Sequence, residues 1–417
     1  MTPQPALLRH AEALLADLLG FARAADQAVS QYFRAHRQLG QTDRAWVAET
    51  VYGVLRRLRS LEAAAGSRAP RDLLVAALVR LHGLSARALE SVLPPEDRAL
   101  AARARALRTE TLPAAVRADL PDWLWARLVS EQGATEAAAL AQGLLAAAPL
   151  DLRVNLARID RDSARARLDA AGIEATPTPY SPAGLRLLGR PAINRDALFT
   201  EGLVEVQDEG SQLLAYLVAP RRGEKVADYC AGAGGKTLAM AMLMRGAGRV
   251  YAMDVSAKRL AALSPRAARA GVSSIHPITL SGANDVRAKR LGGKIDRVLV
   301  DAPCTGFGTL RRNPDLKWRH EAAAVDELAL KQAGILHAAA RLVKPGGRLV
   351  YATCSVLRAE NEAIAEGFIA AHPEFAPLSC RALLAAQRID LDCGEQLRLR
   401  PQVHGTDGFF AVAFERR

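Results

Sequence analysis

Apolar residues in this chain follow three different rhythms, and each change of rhythm marks a boundary. From residue 1 to about 145 the spacing is helical. Across 45–55, apolar side chains recur at Val47, Val51, Val54 and Leu55, close to i, i+4, i+7 and i+8. Further helices are expected near 71–82, 85–93, 97–107 and 122–131, interrupted by Pro94-Pro95, Pro113 and Pro121. Residues 146–200 read differently: 150–156 alternates as a strand, 163–171 is helical, and short strands and turns fill 173–200. This predicts a small α+β connecting subdomain. From about 203, strands and helices take turns. Strands are expected at 226–229, 249–255, 276–280, 297–301 and 348–352, and helices at 236–245, 257–270, 325–343 and 360–371. A hairpin-like pair, 396–400 with 408–415, closes the chain. Such alternation predicts an α/β fold with a doubly wound, mostly parallel sheet. The expected domains are 1–145, 146–200 and 201–417.

Two of the predicted strands end in thiols. Val-Leu-Val-Asp-Ala-Pro-Cys closes at Cys304, and Gly-Arg-Leu-Val-Tyr-Ala-Thr-Cys closes at Cys354. Both runs are apolar and β-branched, as buried parallel strands are. Ligands in open α/β sheets bind beyond the carboxyl ends of the strands. Thiols at two such ends point to covalent chemistry on an electrophilic carbon.

The first predicted strand of the α/β region, 226–229, runs into Asp-Tyr-Cys-Ala-Gly-Ala-Gly-Gly-Lys-Thr (228–237). A glycine-rich turn between a strand and its helix lets backbone approach a ligand closely. A phosphate-wrapping Walker A loop needs glycine where Cys230 stands. The dinucleotide fingerprint needs glycine where Thr237 stands. S-adenosylmethionine, which has no phosphate, fits the remaining pattern. An acidic residue is then expected at the end of the second strand for the ribose hydroxyls, and Asp254 lies 20 positions past Gly234.

Composition adds partners rather than folds. With 417 residues, half of them apolar, the chain can bury two or three cores. No window approaches the ~18 uninterrupted apolar residues of a membrane span, and the N-terminus lacks the layout of a secretory signal. A soluble, cytoplasmic protein is expected. Five cysteines without Cys-x-x-Cys spacing argue against a disulfide framework or a zinc site, so no metal is expected. The net charge of +12 favours a polyanionic partner such as nucleic acid. Arg34, Arg37, Arg44, Arg56, Arg57 and Arg59 cluster near the first helical unit, as a solvated face or as contacts to RNA. The absence of lysine before Lys225 reflects coding bias as much as function.

At 301–308 the chain reads Asp-Ala-Pro-Cys-Thr-Gly-Phe-Gly. Methyltransferases acting on exocyclic amines place Asp/Asn-Pro-Pro-aromatic here to hold the amino group. A cysteine in its place favours methylation at carbon. Cytosine C5 is a poor nucleophile until a thiolate adds at C6 and turns the ring into an enamine. Afterwards the C5 proton must leave and the thiolate must be eliminated, which a second ionisable group would assist.

Together with Asp-Leu-Lys-Trp (315–318), Ala-Thr-Cys-Ser (352–355) and Asp-Gly-Phe-Phe-Ala-Val-Ala-Phe (407–414), these motifs resemble the NOL1/NOP2/Sun family of RNA cytosine-5 methyltransferases. Within it, the bacterial 16S ribosomal RNA enzymes of the RsmB type are most similar. Residues 149–155 and 202–212 look like that group's subdomain and linker, and 39–56 is similar to its NusB-like helical domain. The resemblance implies a class I, Rossmann-like methyltransferase domain that uses S-adenosylmethionine to methylate C5 of a cytosine in ribosomal RNA. It makes Cys354 the nucleophile and Cys304 the release cysteine. Cys230, Ala231, Gly232, Ala233, Gly234, Gly235, Lys236, Asp254 and Asp301 would line the cofactor. For the adenine, Asn284 is chosen, with Asp285 as its rival, because the usual aspartate is replaced by Ser-Gly-Ala-Asn-Asp (281–285). The family also usually has proline where Ala233 stands. A monomer is expected. The competing functions are the same reaction on transfer RNA and a non-catalytic RNA-binding factor.

Overall fold

The computed structural model describes residues 4–283 and 285–417, so Asn284 lies outside the described residues. The chain divides into two compact units. One comprises Met1–Ala147 with Thr309–Ala322, the other Ala148–Gly308 with Ala323–Arg417. Among the described residues, no helix is long and apolar enough to cross a membrane.

The first unit is all helical, as the 3.6-residue period requires. The helix Gln41–Arg56 buries Val47, Val51, Val54 and Leu55, the residues whose spacing predicted it. They pack with Leu14, Leu15 and Leu18 of Pro5–Leu18 and with Leu73, Leu74 and Ala77 of Pro70–Arg80. The linear order of the chain gave no sign that Thr309–Ala322 belongs here. Its side chains complete a helix end. The terminal carbonyls of Gln41–Arg56 have no partners within the helix. Leu55 O accepts from Trp318 Nε1 at 2.8 Å, and Arg56 O accepts from Lys317 Nζ at 2.8 Å. Lys317 is 1% exposed. Burial pulls its pKa down to about 7, only partly opposed by Asp119, while Arg56 and Arg57 push the same way.

The arginine cluster divides into two kinds. Arg44 donates to the carbonyl of Leu39, and Arg59 to Leu120 O and the Asp122 carboxylate. Arg56 donates to Arg311 O. These three serve the unit's own structure. Arg34 and Arg37 are exposed and Arg57 half-buried.

The second unit holds two sheets. Strands β1 (Leu150–Val154), β2 (Ala175–Pro177), β3 (Gly184–Leu187) and β4 (Val204–Val206) form an antiparallel sheet in the order β2-β3-β1-β4. The helix Arg161–Ala170, started by the Asp160 side chain on Ser163 N, packs Ala164 and Leu168 into its core. This is the α+β subdomain that the sequence predicted, with its last strand past residue 200.

The larger sheet contains β5 (Lys225–Asp228), β6 (Arg249–Asp254), β7 (Ile275–Thr279), β8 (Ile295–Asp301), β9 (Val343–Thr353), β10 (Phe375–Leu378) and β12 (Phe409–Arg416). Their order is β10-β12-β9-β8-β5-β6-β7, with β11 (Leu397–Leu399) paired to β12. The pairs β5·β6, β5·β8, β6·β7 and β8·β9 are parallel, and β12 is antiparallel to its neighbours. The fold is therefore α/β with a mixed, doubly wound sheet. Alternation along the strands feeds two cores. Leu299, Val350, Ala352 and Ala411 face the helices Glu209–Val218 and Gly235–Leu243, while Val298, Val300, Tyr351 and Phe410 face Ala322–Ala340 and Glu362–Ala371.

Two expectations about elements need revision. The helix predicted over 257–270 is two, Ala257–Ala261 and Leu263–Arg269. Pro265 has no N–H to offer the carbonyl of Ala261, four residues back, and the interruption falls at Ala262. The C-terminal pair forms, but β12 also inserts between β9 and β10 and is thus interior to the sheet. Its all-apolar run Phe409–Phe414 is what an interior strand needs.

Candidate active site

From β5 the chain winds outward through β6 and β7, then returns to β8 and β9 on the other side. The carboxyl ends of β5 and β8 therefore flank a switch point, where α/β sheets bind ligands. Almost every residue singled out from the sequence collects at this end of the sheet.

The loop after β5 is shaped by its glycines. Gly234 has φ +83°, and a Cβ there would sit 2.1 Å from Leu263 Cδ1, so a side chain would be strained and would displace Leu263. Arg153 Nη1 donates to Gly235 O at 2.7 Å and Arg266 Nη1 to Ala233 O at 2.6 Å. Arg266 is in turn held by Glu205 at 2.9 Å. The turn at Ala233, where proline was expected, is thus tied from outside.

Asp254, at the end of β6, reaches into this loop. Its Oδ2 accepts from Gly232 N at 2.8 Å and its Oδ1 from Ser256 N at 2.7 Å. Each oxygen keeps a lone pair for a further donor. Asp228 lies beneath the loop, 1% exposed, with Oδ2 accepting from Thr237 Oγ1 at 2.7 Å. Burial raises its pKa to about 7, and Asp301 and Asp254 add to the effect. Lys236 Nζ donates to Asp301 Oδ2 at 2.6 Å. Burial opposes the Lys236 charge, but the Asp301 carboxylate outweighs it, and Cys354 contributes in the same sense. Burial, with Asp228 and Asp301 beside it, pushes the Cys230 thiol well up. Asp254 and Asp301 against one lysine, with Asp228 partly protonated near neutral pH, leave this region acidic.

The two thiols meet. β8 and β9 pair up to Asp301 and Ala352, with a last rung from Ala302 N to Ala352 O at 2.8 Å. Cys304 and Cys354 follow, and their Sγ atoms lie 3.4 Å apart as a hydrogen-bonded pair of free cysteines. That bond to Cys354, then burial, then the Cys354 charge raise the Cys304 pKa well above its ordinary value, with Glu360 and Asp301 adding to it. Cys304 therefore rests as a thiol. The sequence motifs around them also touch: Gly308 N donates to Cys354 O, and Gly408 N to Gly308 O, both at 2.8 Å. A Cβ on Gly308 would lie 2.1 Å from Gly408 O.

Asn284 lies outside the described residues, and the Asp285 carboxylate is occupied. It accepts from Ser281 N, Arg287 N and the Arg287 guanidinium, which hold its pKa far below the usual carboxylate range. Sequence reasoning missed Asp228, Thr237 and a buried carboxylate, Glu360, that binds the residue after each cysteine. The available signal was a hydroxyl residue directly following each thiol.

A family described as 16S rRNA methyltransferase RsmB/F matches residues 215–415, and one described as the ferredoxin-like domain of RsmF/B-like methyltransferases matches 120–194. A probable ribosomal RNA small subunit methyltransferase B from Synechocystis is 31% identical, over 94% of this chain and 95% of its own length. The chain belongs to the RsmB/F family of 16S rRNA methyltransferases. A second such relative, a probable ribosomal RNA small subunit methyltransferase B from Bacillus subtilis, is 34% identical over 71% of this chain, an alignment spanning 66% of that protein. The RsmB/F fold recurs in the solved structure of PH0851, with TM-score 0.81 and 25% identity over all of both chains. A methyltransferase homolog from Pyrococcus horikoshii gives TM-score 0.64 and 28% identity, over 75% of this chain and 100% of that one.

Proposed function

We propose that this RsmB/F chain methylates C5 of a cytosine in 16S ribosomal RNA, using S-adenosylmethionine and a covalent Cys354–C6 adduct. The observation that carries this reading is the pair of thiols 3.4 Å apart beside an acidic, glycine-lined cleft. Asp254 and Asp301 would repel a pyrophosphate and favour a cationic cofactor. The free lone pairs of Asp254 suit ribose hydroxyls, and Gly232–Gly235 leaves room beside them. Once bound, S-adenosylmethionine supplies an electrophilic methyl group.

The chain's own residues do the rest. Cys354 reacts as its thiolate, with the Lys236 ammonium within electrostatic reach. That thiolate adds to C6, and the electron pair displaced onto C5 takes the methyl. The Cys304 pKa is raised first by Cys354. When Cys354 becomes a neutral thioether, the largest cause of the raised Cys304 pKa is gone, while burial, Glu360 and Asp301 still favour the thiol, so its proton must leave before it can act as the base. The resulting thiolate takes the C5 proton, the Cys354–C6 bond breaks, and the Cys354 thiolate returns. Bisulfite sequencing of ribosomal and transfer RNA from a deletion strain tests the substrate. One unprotected cytosine should appear in 16S RNA; its appearance only in transfer RNA would overturn this assignment.

A further inference from the structure

Four donors converge on one buried carboxylate between the loops that carry the thiols. Glu360, in the turn Arg358–Glu360 after β9, is fully buried. Its Oε1 accepts from Thr305 N at 2.9 Å and from Gln332 Nε2 at 3.0 Å. Its Oε2 accepts from Thr305 Oγ1 at 2.6 Å and from Ser355 Oγ. A carboxylate has about four lone-pair sites and, when ionised, no donor, so this one is saturated. Gln332 extends the tie to Pro303 O at 3.0 Å, and Tyr351 OH anchors the Glu360 backbone carbonyl at 2.6 Å.

The location matters more than the bond count. The β8–β9 ladder ends at Ala302 and Ala352, two residues before each thiol. Thr305 follows Cys304 and Ser355 follows Cys354. Past the ladder, the Glu360 side chain joins the two loops that β pairing no longer joins. A buried anion is seldom the most stable way to fill a core, and apolar residues often serve better. Its placement one residue from both reacting groups gives it a different purpose.

We propose that Glu360 is a positioning residue that sets the separation of Cys304 from Cys354 and so governs release of the methylated base. This inference rests on the thiol roles given above. The test uses the full chain, S-adenosylmethionine and 16S RNA transcribed in vitro from the same organism. Glu360→Ala, Glu360→Gln and Ser355→Ala are compared with Cys304→Ala. Methyl transfer in a single turnover, cofactor affinity, and protein–RNA adduct on denaturing gels are measured. Glu360→Ala should bind cofactor and transfer the methyl but release it about 100-fold more slowly, the scale of a 1 Å misplacement, so adduct accumulates. Glu360→Gln should restore most of the release, because the Thr305 and Ser355 hydroxyls can turn to accept from its amide. Ser355→Ala, which removes one of the four donors to Glu360 together with that hydroxyl's contacts to Thr305 Oγ1 and Leu357 N, should show an intermediate adduct level, and it carries the test if Glu360→Ala does not fold. Wild-type release in folded Glu360→Ala or in Ser355→Ala overturns the proposal, as does a Gln variant as defective as Ala. If Cys304→Ala also leaves no adduct, the thiol roles themselves fail, a result separate from failure at Glu360 alone.

Discussion

Replacing Asp254 by alanine should weaken S-adenosylmethionine binding by a magnitude that its geometry sets. Asp254 already accepts one backbone N–H on each oxygen, from Gly232 and Ser256. One lone pair on each oxygen remains for the ribose, and losing even one charge-assisted hydrogen bond costs about 1.5–3 kcal/mol. At ~1.4 kcal/mol per tenfold, that predicts a roughly 10- to 150-fold rise in Kd. The same substitution orphans two amides. Both belong to half-exposed residues, so water compensates, and the stability cost should be near the low end, about 1 kcal/mol each. The variant should stay folded with a lowered melting temperature. Isothermal calorimetry with S-adenosylmethionine on the folded variant reads the first effect and thermal melting the second. An unchanged Kd with a lowered melting temperature would refute the reasoning, leaving Asp254 as a loop staple only.

The pH dependence of stability should carry a signature of Asp228. Burial raises its folded pKa from 3.8 to about 7, so between those values the folded chain holds a proton that the unfolded chain has lost. Stability should therefore fall as pH rises through that window, and Asp228→Asn should flatten the fall in denaturant melts; a parallel curve contradicts it. In the helical unit, glutamine at Arg34, Arg37 and Arg57 should flatten the plot of log RNA affinity against log salt by ~0.7–0.9 per lost phosphate contact. Cofactor affinity should not change, and an unchanged slope would give these arginines no part in RNA binding.

Much of the fold was legible because each element obeyed a local rule. Val298–Val300 and Leu349–Ala352 read as buried strands, and they are flanked by cores on both sides. The helix period at Val47, Val51, Val54 and Leu55 forecast the packed face of Gln41–Arg56. What escaped depended on contacts far apart in sequence. Trp318 and Lys317 sit in a polar run with no period, and what holds them is core packing by Trp318 and the helix-end carbonyls of Leu55 and Arg56. The thiols were legible as strand ends, but their 3.4 Å approach depends on register and on side chains such as Glu360. No spacing rule predicts these. The ion pair of Asp285, the rival to Asn284 for the adenine, with Arg287 two residues on was not legible either.

The division of labour between the thiols is tested most directly by denaturing electrophoresis of the two alanine variants after incubation with 16S RNA and S-adenosylmethionine. Cys304→Ala should transfer the methyl and stall, leaving a protein–RNA band that resists denaturant. Cys354→Ala should bind both partners, transfer nothing and leave no such band. An adduct that accumulates with Cys354→Ala, and not with Cys304→Ala, would contradict the account by reversing nucleophile and release group.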